Sequence, residues 1–207
     1  MNIEKMSIKK RQIFKRIGIH FLGIAPLFVL ALRFLTDDMG ANPIEELSHF
    51  TGSTTLVYLA LSLSISPLHK TFPKLTLLQH RRTFGLYSFF YATLHVFNYI
   101  AIDRGFLWGE ITEDILKRRY IYVGLFGYAI LFVLAATSSR AAIRKLRKYW
   151  KPLHRLVYVA AVAGVVHFFW LVKADFKKPI VWAVIFTVLF LCRAVFIRNN
   201  QKSQKKD

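Results

Sequence analysis

The chain has 207 residues, of which 55% are hydrophobic, and a formal charge of +19. A soluble globule of this size does not combine those values, so apolarity and charge must be segregated along the chain. They are: apolar stretches of about 17 to 21 residues, the length that an approximately 30 Å hydrocarbon core requires of a helix, alternate with short basic linkers. This excludes a soluble enzyme. It also argues against nucleic acid as a partner, because Lys and Arg cluster at the ends of apolar segments, where they orient a membrane protein.

In chain order the pattern predicts six membrane-spanning helices, over Ile17 to Leu35, Gly52 to Leu68, Thr83 to Ile102, Tyr120 to Thr137, Pro152 to Val172 and Pro179 to Ile197. The fold class is therefore an all-α integral membrane bundle. A basic N-terminus covers residues 1–16, the transmembrane domain covers 17–197 and a polar tail covers 198–207. The first span is too long for the apolar region of a signal peptide and lacks a small-residue cleavage site, so it is expected to be retained. Pro67 is expected to close the second helix, and Pro152 and Pro179 sit where a first helical turn has no use for an amide hydrogen. Short linkers make consecutive helices antiparallel neighbours and leave the stretch from Asp103 to Arg119 as an outer loop.

Orientation follows from the loop charges. The N-terminus, the second and fourth linkers and the tail together hold twenty Lys and Arg, among them Lys74, Lys205 and Lys206, against seven on the opposite side. Both termini are thus expected in the cytoplasm. The first outer loop agrees: Asp37, Asp38, Glu45 and Glu46 lie there with no Lys or Arg between Thr36 and Thr51. Cys192 stands alone inside an apolar run, which leaves no disulfide framework and no cysteine metal site.

Ionisable groups within a bilayer are expensive and mark function. Of the seven histidines, His49, His69 and His80 fall at loop ends, where an interfacial ring is expected, and His20 lies just inside the first span. His95 and His167 are deep within the third and fifth spans, which both run outward. His95 is 12 residues from the start of its span and His167 is 15, so at 1.5 Å per residue their depths agree within about 5 Å. Two neutral imidazoles at one level could ligate both axial positions of a haem iron, or could bridge helices as core histidines; the pattern permits both. His154 precedes His167 by 13 residues, a rise of about 20 Å and a rotation of about 220° beyond whole turns, so the two rings share a face only if the helix bends. Gly85, Gly124, Gly127 and Gly164 suit either a slot for a flat macrocycle or ordinary small-residue packing. Aromatic residues from Phe89 to Tyr99 and from Phe168 to Trp170 suit either a cofactor lining or a core and interfacial belt.

Gln79-His80-Arg81-Arg82-Thr83-Phe84-Gly85-Leu86 leading to Tyr91-Ala92-Thr93-Leu94-His95, then Leu153-His154-Arg155 and Val166-His167-Phe168-Phe169-Trp170, resemble the ferric-reductase-like transmembrane family. The runs Gly40-Ala41-Asn42-Pro43-Ile44 and His49-Phe50-Thr51-Gly52, with Ser66-Pro67-Leu68, are similar to its bacterial haem-binding members that serve periplasmic methionine-sulfoxide reductases. The resemblance covers nearly the whole chain. It implies a b-type haem electron-transfer subunit of the bacterial inner membrane. Such a subunit takes electrons from quinone or from a cytosolic flavin reductase. It passes them to a periplasmic molybdopterin-containing reductase that repairs oxidised proteins and carries out the catalysis. It also implies FMN, and His95, His154 and His167 as haem ligands. One departure stands out: two-haem relatives have a fourth histidine where this chain has Arg81, with His80 adjacent. Competing readings are a ferric or cupric reductase membrane component, which would need a separate flavin and nicotinamide protein, and a six-helix transporter without a redox cofactor.

Overall fold

The computed structural model describes residues 2–72 and 78–203, and among these all regular structure is helical. Lys74, Lys205 and Lys206, counted above for orientation, lie outside the described residues, as does the end of the polar tail. The α-helices are α1 (Asn2–Leu35), α2 (Pro43–Thr71), α3 (Arg81–Phe97), α4 (Trp108–Lys117), α5 (Arg119–Ala136), α6 (Arg140–Leu146), α7 (Trp150–His154), α8 (Leu156–Leu171) and α9 (Lys177–Ser203). A 3-10 turn over Leu78–His80 leads into α3, and a π-helical segment, Asn98–Asp103, extends it.

The chain divides into two compact units, Met1–Phe50 and Thr51–Asp207. In the first, α1 ends at a left-handed Asp37 (φ 56°), and Arg33 folds over the turn to pair with Glu46 at 2.6 Å and Asp38 at 3.4 Å. Asn42 caps α2: its side-chain oxygen accepts the Glu45 amide at 3.3 Å, and its amide group donates to the Glu45 carboxylate at 3.1 Å.

In the second unit, α5 and α8 form the most extensive helix pair, α3 packs on α5, and α9 packs on α8. The core joins Leu59 and Leu63 of α2, Ala92 of α3, Ile130 and Leu134 of α5, Ala160 and Ala161 of α8 and Phe186 of α9. Alanines and glycines let the α5 and α8 backbones approach: a Cβ on Gly127 would already touch the Ala163 methyl at 3.4 Å. Between α2 and α3, Tyr58 stacks on the fully buried Tyr91 at 5.4 Å, and the Ser88 hydroxyl donates to the Thr55 carbonyl at 3.0 Å. Large apolar side chains on the outside, such as Phe126, Phe132, Val162, Val184 and Leu191, are more than half exposed, as lipid-facing residues are.

Three described stretches are long and apolar enough to cross a membrane alone: Ile13–Leu35, Arg119–Ala136 and Lys177–Phe196. The helices Arg140–His154 and Leu156–Leu171, bent by 42°, qualify together as one more. Helix α3 is only 17 residues before its π-helical continuation, and α2 carries a run of Ser and Thr, so α3 is shorter and α2 less apolar than those stretches. Several sequence expectations need correction. Pro67 does not close α2, which runs one further turn to Thr71. The stretch from Asp103 to Arg119, expected to be a loop, contains α4, whose charged and apolar residues segregate to opposite faces and so form no apolar run. The fifth span is broken at Arg155.

If close α5–α8 packing holds the second unit together, Gly127→Leu should destabilise it by about 1–3 kcal/mol, the usual cost of overpacking. The check is the thermal unfolding midpoint in detergent, which should fall; an unchanged midpoint would show that the pair tolerates separation.

Candidate functional site

The structure brings His95 of α3 and His167 of α8 together. Their ring centres are 6.1 Å apart, with planes at 86°. Helices α3 and α8 each lie close against α5 and approach one another far less closely, so the imidazoles reach into a gap between their backbones.

Each ring is held from behind. His167 Nδ1 lies 2.7 Å from the Tyr120 carbonyl oxygen at the start of α5, so Nδ1–H donates and Nε2 keeps its lone pair. A Cβ on Gly124, one turn further along α5, would stand 2.7 Å from the same Nδ1 and 2.9 Å from Cε1. On the opposite side, Gly52 of α2 is against His95: a Cβ there would be 3.2 Å from Cε1. The His95 Nδ1 faces the buried Thr51 hydroxyl at 3.4 Å, which fixes the edge that this ring turns towards α2.

The arrangement suits one ion held between two rings. Two imidazoles bound on opposite sides of a first-row ion at about 2 Å each have ring centres about 6 Å apart. Among the described residues no group of three His, Cys, Asp or Glu gathers as a metal site, so a ligand set completed wholly by protein side chains is not on offer there. His95 and His167 would suffice for a haem, whose iron takes its other bonds from the porphyrin and asks the protein for two nitrogens. The residues present therefore fit the group.

His154 is held elsewhere. Its Nε2 is 3.1 Å from the Thr137 hydroxyl, and its ring stacks on Trp150 at 4.1 Å, while Trp150 Nε1 donates to the Thr137 carbonyl at 3.0 Å. Its helix is interrupted at Arg155, so the 220° offset expected of an unbroken helix does not apply. Arg81 donates to the Ser66 hydroxyl at 3.1 Å, and its carbonyl accepts from Ser62 at 3.0 Å, which ties the start of α3 to α2. His80, expected at an interface, is buried in the 3-10 turn, with the Gln79 side chain 3.1 Å from its Nε2. His49 behaves as expected, partly exposed and 3.6 Å from Glu45.

The glycines divide by role. Gly85, Gly127 and Gly164 meet Ser62, Ala163 and Leu56, which is helix packing, whereas Gly124 meets His167. Gly52 and Tyr120 were not singled out as site residues: Gly52 is far from His95 in sequence, and Tyr120 contributes a backbone oxygen that no residue pattern encodes. The aromatic set is mostly structural: Phe89 stacks on Tyr128 at 5.9 Å and Phe169 on Phe176 at 6.3 Å, while Phe97 and Trp170 are exposed. Most of the acidic residues between α1 and the start of α2 are engaged locally, by Arg33, Asn42 and His49.

Residues 49–165 match the family model described as ferric reductase like transmembrane component. The chain is 41% identical over 201 residues, 95% of each protein, to a protein of Rhodospirillum rubrum named protein-methionine-sulfoxide reductase heme-binding subunit MsrQ. Proteins of the same name are similar in Xanthomonas oryzae pv. oryzae, at 40% identity over 85% of this chain and 84% of the relative, and in Xanthomonas campestris pv. campestris, at 38% over 83% and 82%.

A side chain at Gly124 cannot coexist with the observed His167 ring. Gly124→Val should therefore lower haem bound per purified chain several-fold. Gly18→Ala, where an added Cβ meets nothing within 4 Å, should leave it unchanged. Equal haem content in both variants would show that the ring position is not needed.

Proposed function

Because the chain belongs to the ferric reductase like transmembrane component family, among its MsrQ heme-binding subunits, we propose that it is a haem-carrying electron conduit of a methionine-sulfoxide reductase system. The observation that carries this reading is the opposed pair His95 and His167, 6.1 Å between ring centres, each ring backed by a glycine. We take α1, α2, α3 with its π-helical extension, α5, the bent α6–α8 segment and α9 as six spans. Both termini then lie in the cytoplasm of a bacterial inner membrane, and residues 17–197 form the membrane domain between the basic N-terminus (1–16) and the tail (198–207). This orientation rests on the excess of Lys and Arg on one side.

His95 and His167 would hold a haem through its iron, and a haem held by two histidines would supply electron transfer rather than substrate turnover. His95 and His167 hold the group in the outer half of the bilayer. The Tyr120 carbonyl fixes the His167 tautomer, and Thr51 faces the corresponding nitrogen of His95. His154, at the inner end of the bent segment, is proposed to serve electron entry from quinone or a cytosolic flavin reductase; Trp150 and Thr137 hold its ring there. The proposed acceptor is a periplasmic molybdopterin-containing methionine-sulfoxide reductase, which performs the catalysis. The relatives' names speak of haem and not of flavin, so FMN is left out of the proposal.

The test is an absorption spectrum, oxidised and reduced, with haem quantified per chain. His95→Ala and His167→Ala should each lose the low-spin haem of the native protein. Full occupancy with a normal spectrum in both would remove the pair as ligands, and a native protein without a Soret band would overturn the whole reading. His154→Ala should keep much of that haem while slowing its reduction from the cytoplasmic side. Loss of all haem, or an unchanged reduction rate, would contradict this division of labour.

A further inference from the structure

Away from the histidine pair, a polar cluster beyond the end of α3 and the start of α5 converges on one carboxylate. Asp114 of α4, with its side chain only 13% exposed, receives three donors. Arg104 Nη2 is at 2.6 Å, Arg118 Nε at 3.0 Å and the Tyr99 hydroxyl at 3.2 Å. Tyr99 belongs to the π-helical segment that continues α3, and Arg104 follows that segment directly. Arg104 also approaches Asp103 and Glu110, each at 3.7 Å, and lies over the Tyr99 ring. Arg118 precedes α5 and donates from Nη1 to the Tyr120 hydroxyl at 3.1 Å. Tyr120 is the residue whose carbonyl accepts the His167 Nδ1 hydrogen. One carboxylate thus ties the extension of the His95 helix to the start of the helix that orients His167.

Isolated surface ion pairs contribute little, but a carboxylate that accepts several charge-assisted hydrogen bonds in partial burial holds its partners firmly. Gly124 leaves His167 no room to retreat towards α5, so the ring plane follows the Tyr120 carbonyl. A hydrogen bond at Nδ1 fixes ring orientation and raises the basicity of Nε2, which favours the oxidised metal. Whatever positions Tyr120 therefore reaches the metal.

We propose that Asp114 is a positioning residue for the haem ligands, acting through Arg118 and Tyr120 to set the His167 ring plane and the redox potential. This rests on the haem reading above. It gives α4 a role that its sequence, read as an outer loop, does not suggest.

The experiment uses the purified haem-loaded protein in detergent, with a redox titration and low-temperature EPR of the ferric state. Native protein without a bis-imidazole low-spin spectrum would sink the haem reading itself. With that spectrum in place, Asp114→Asn and Tyr120→Phe should both raise the midpoint potential and alter the EPR anisotropy, and the double variant should add little to either single change. Glu113→Gln, which touches Lys117 on the same helix but neither Arg118 nor Tyr99, should match the native protein. A raised potential in Asp114→Asn alone, with native EPR in both variants, would reduce the effect to lost charge and overturn positioning. Native values in Tyr120→Phe would do the same. Should Asp114→Asn fail to assemble, Tyr120→Phe decides, since it removes one hydroxyl and no charge.

Discussion

Two imidazoles held at a fixed separation, on helices that both pack on a third instead of closely on each other, are the constraint around which the second unit is built. The 6.1 Å between His95 and His167 is maintained by what stands behind each ring: Gly52 and Thr51 on one side, Gly124 and the Tyr120 carbonyl on the other. Helix α5 is the common support. Its packing against α8 through Gly127 and Ala163 fixes the distance from the Tyr120 carbonyl to His167, and its contact with α3 sets the opposite wall. Close helix packing here determines where the two rings stand, so the small residues of α5 and α8 shape the site as well as the fold.

Polar residues follow the same economy. In a medium that cannot solvate them, hydroxyls and guanidinium groups bond to backbone or to each other: Ser88 to Thr55, Ser62 to the Arg81 carbonyl, Arg81 to Ser66. Beyond the end of α3 the charges are gathered on Asp114, and at the start of α2 on Arg33. The two ends of α3 are thereby treated differently. Its C-terminal extension is clasped by a carboxylate, whereas at its start Arg81 is held by serine; His154 is held by a tryptophan and a threonine.

Most of the helices were legible in the sequence because apolar runs of bilayer length leave little choice of structure. The meeting of His95 and His167 was legible too, from matched depths on two helices of the same direction. What stayed hidden has physical reasons. The break at Arg155 comes three residues after Pro152, which the sequence offers only as the start of a helix, so a count of residues between His154 and His167 assumed a straight helix that does not exist. Helix α4 is amphipathic and short, and a search for apolar stretches passes over it. Gly52 and the Tyr120 carbonyl act on rings 43 and 47 residues away, through a missing side chain and a backbone atom, and neither leaves a periodic trace. His80 reads as a loop-end residue, but the 3-10 turn folds it inward.

The most direct test of the account is the low-temperature EPR spectrum of the purified native protein in its ferric state. If His95 and His167 hold a haem with their ring planes kept near 86°, the ferric protein should give a low-spin signal of very high anisotropy that accounts for the haem present. A high-spin signal from five-coordinate iron, or the less anisotropic low-spin signal of parallel imidazole planes, would contradict it.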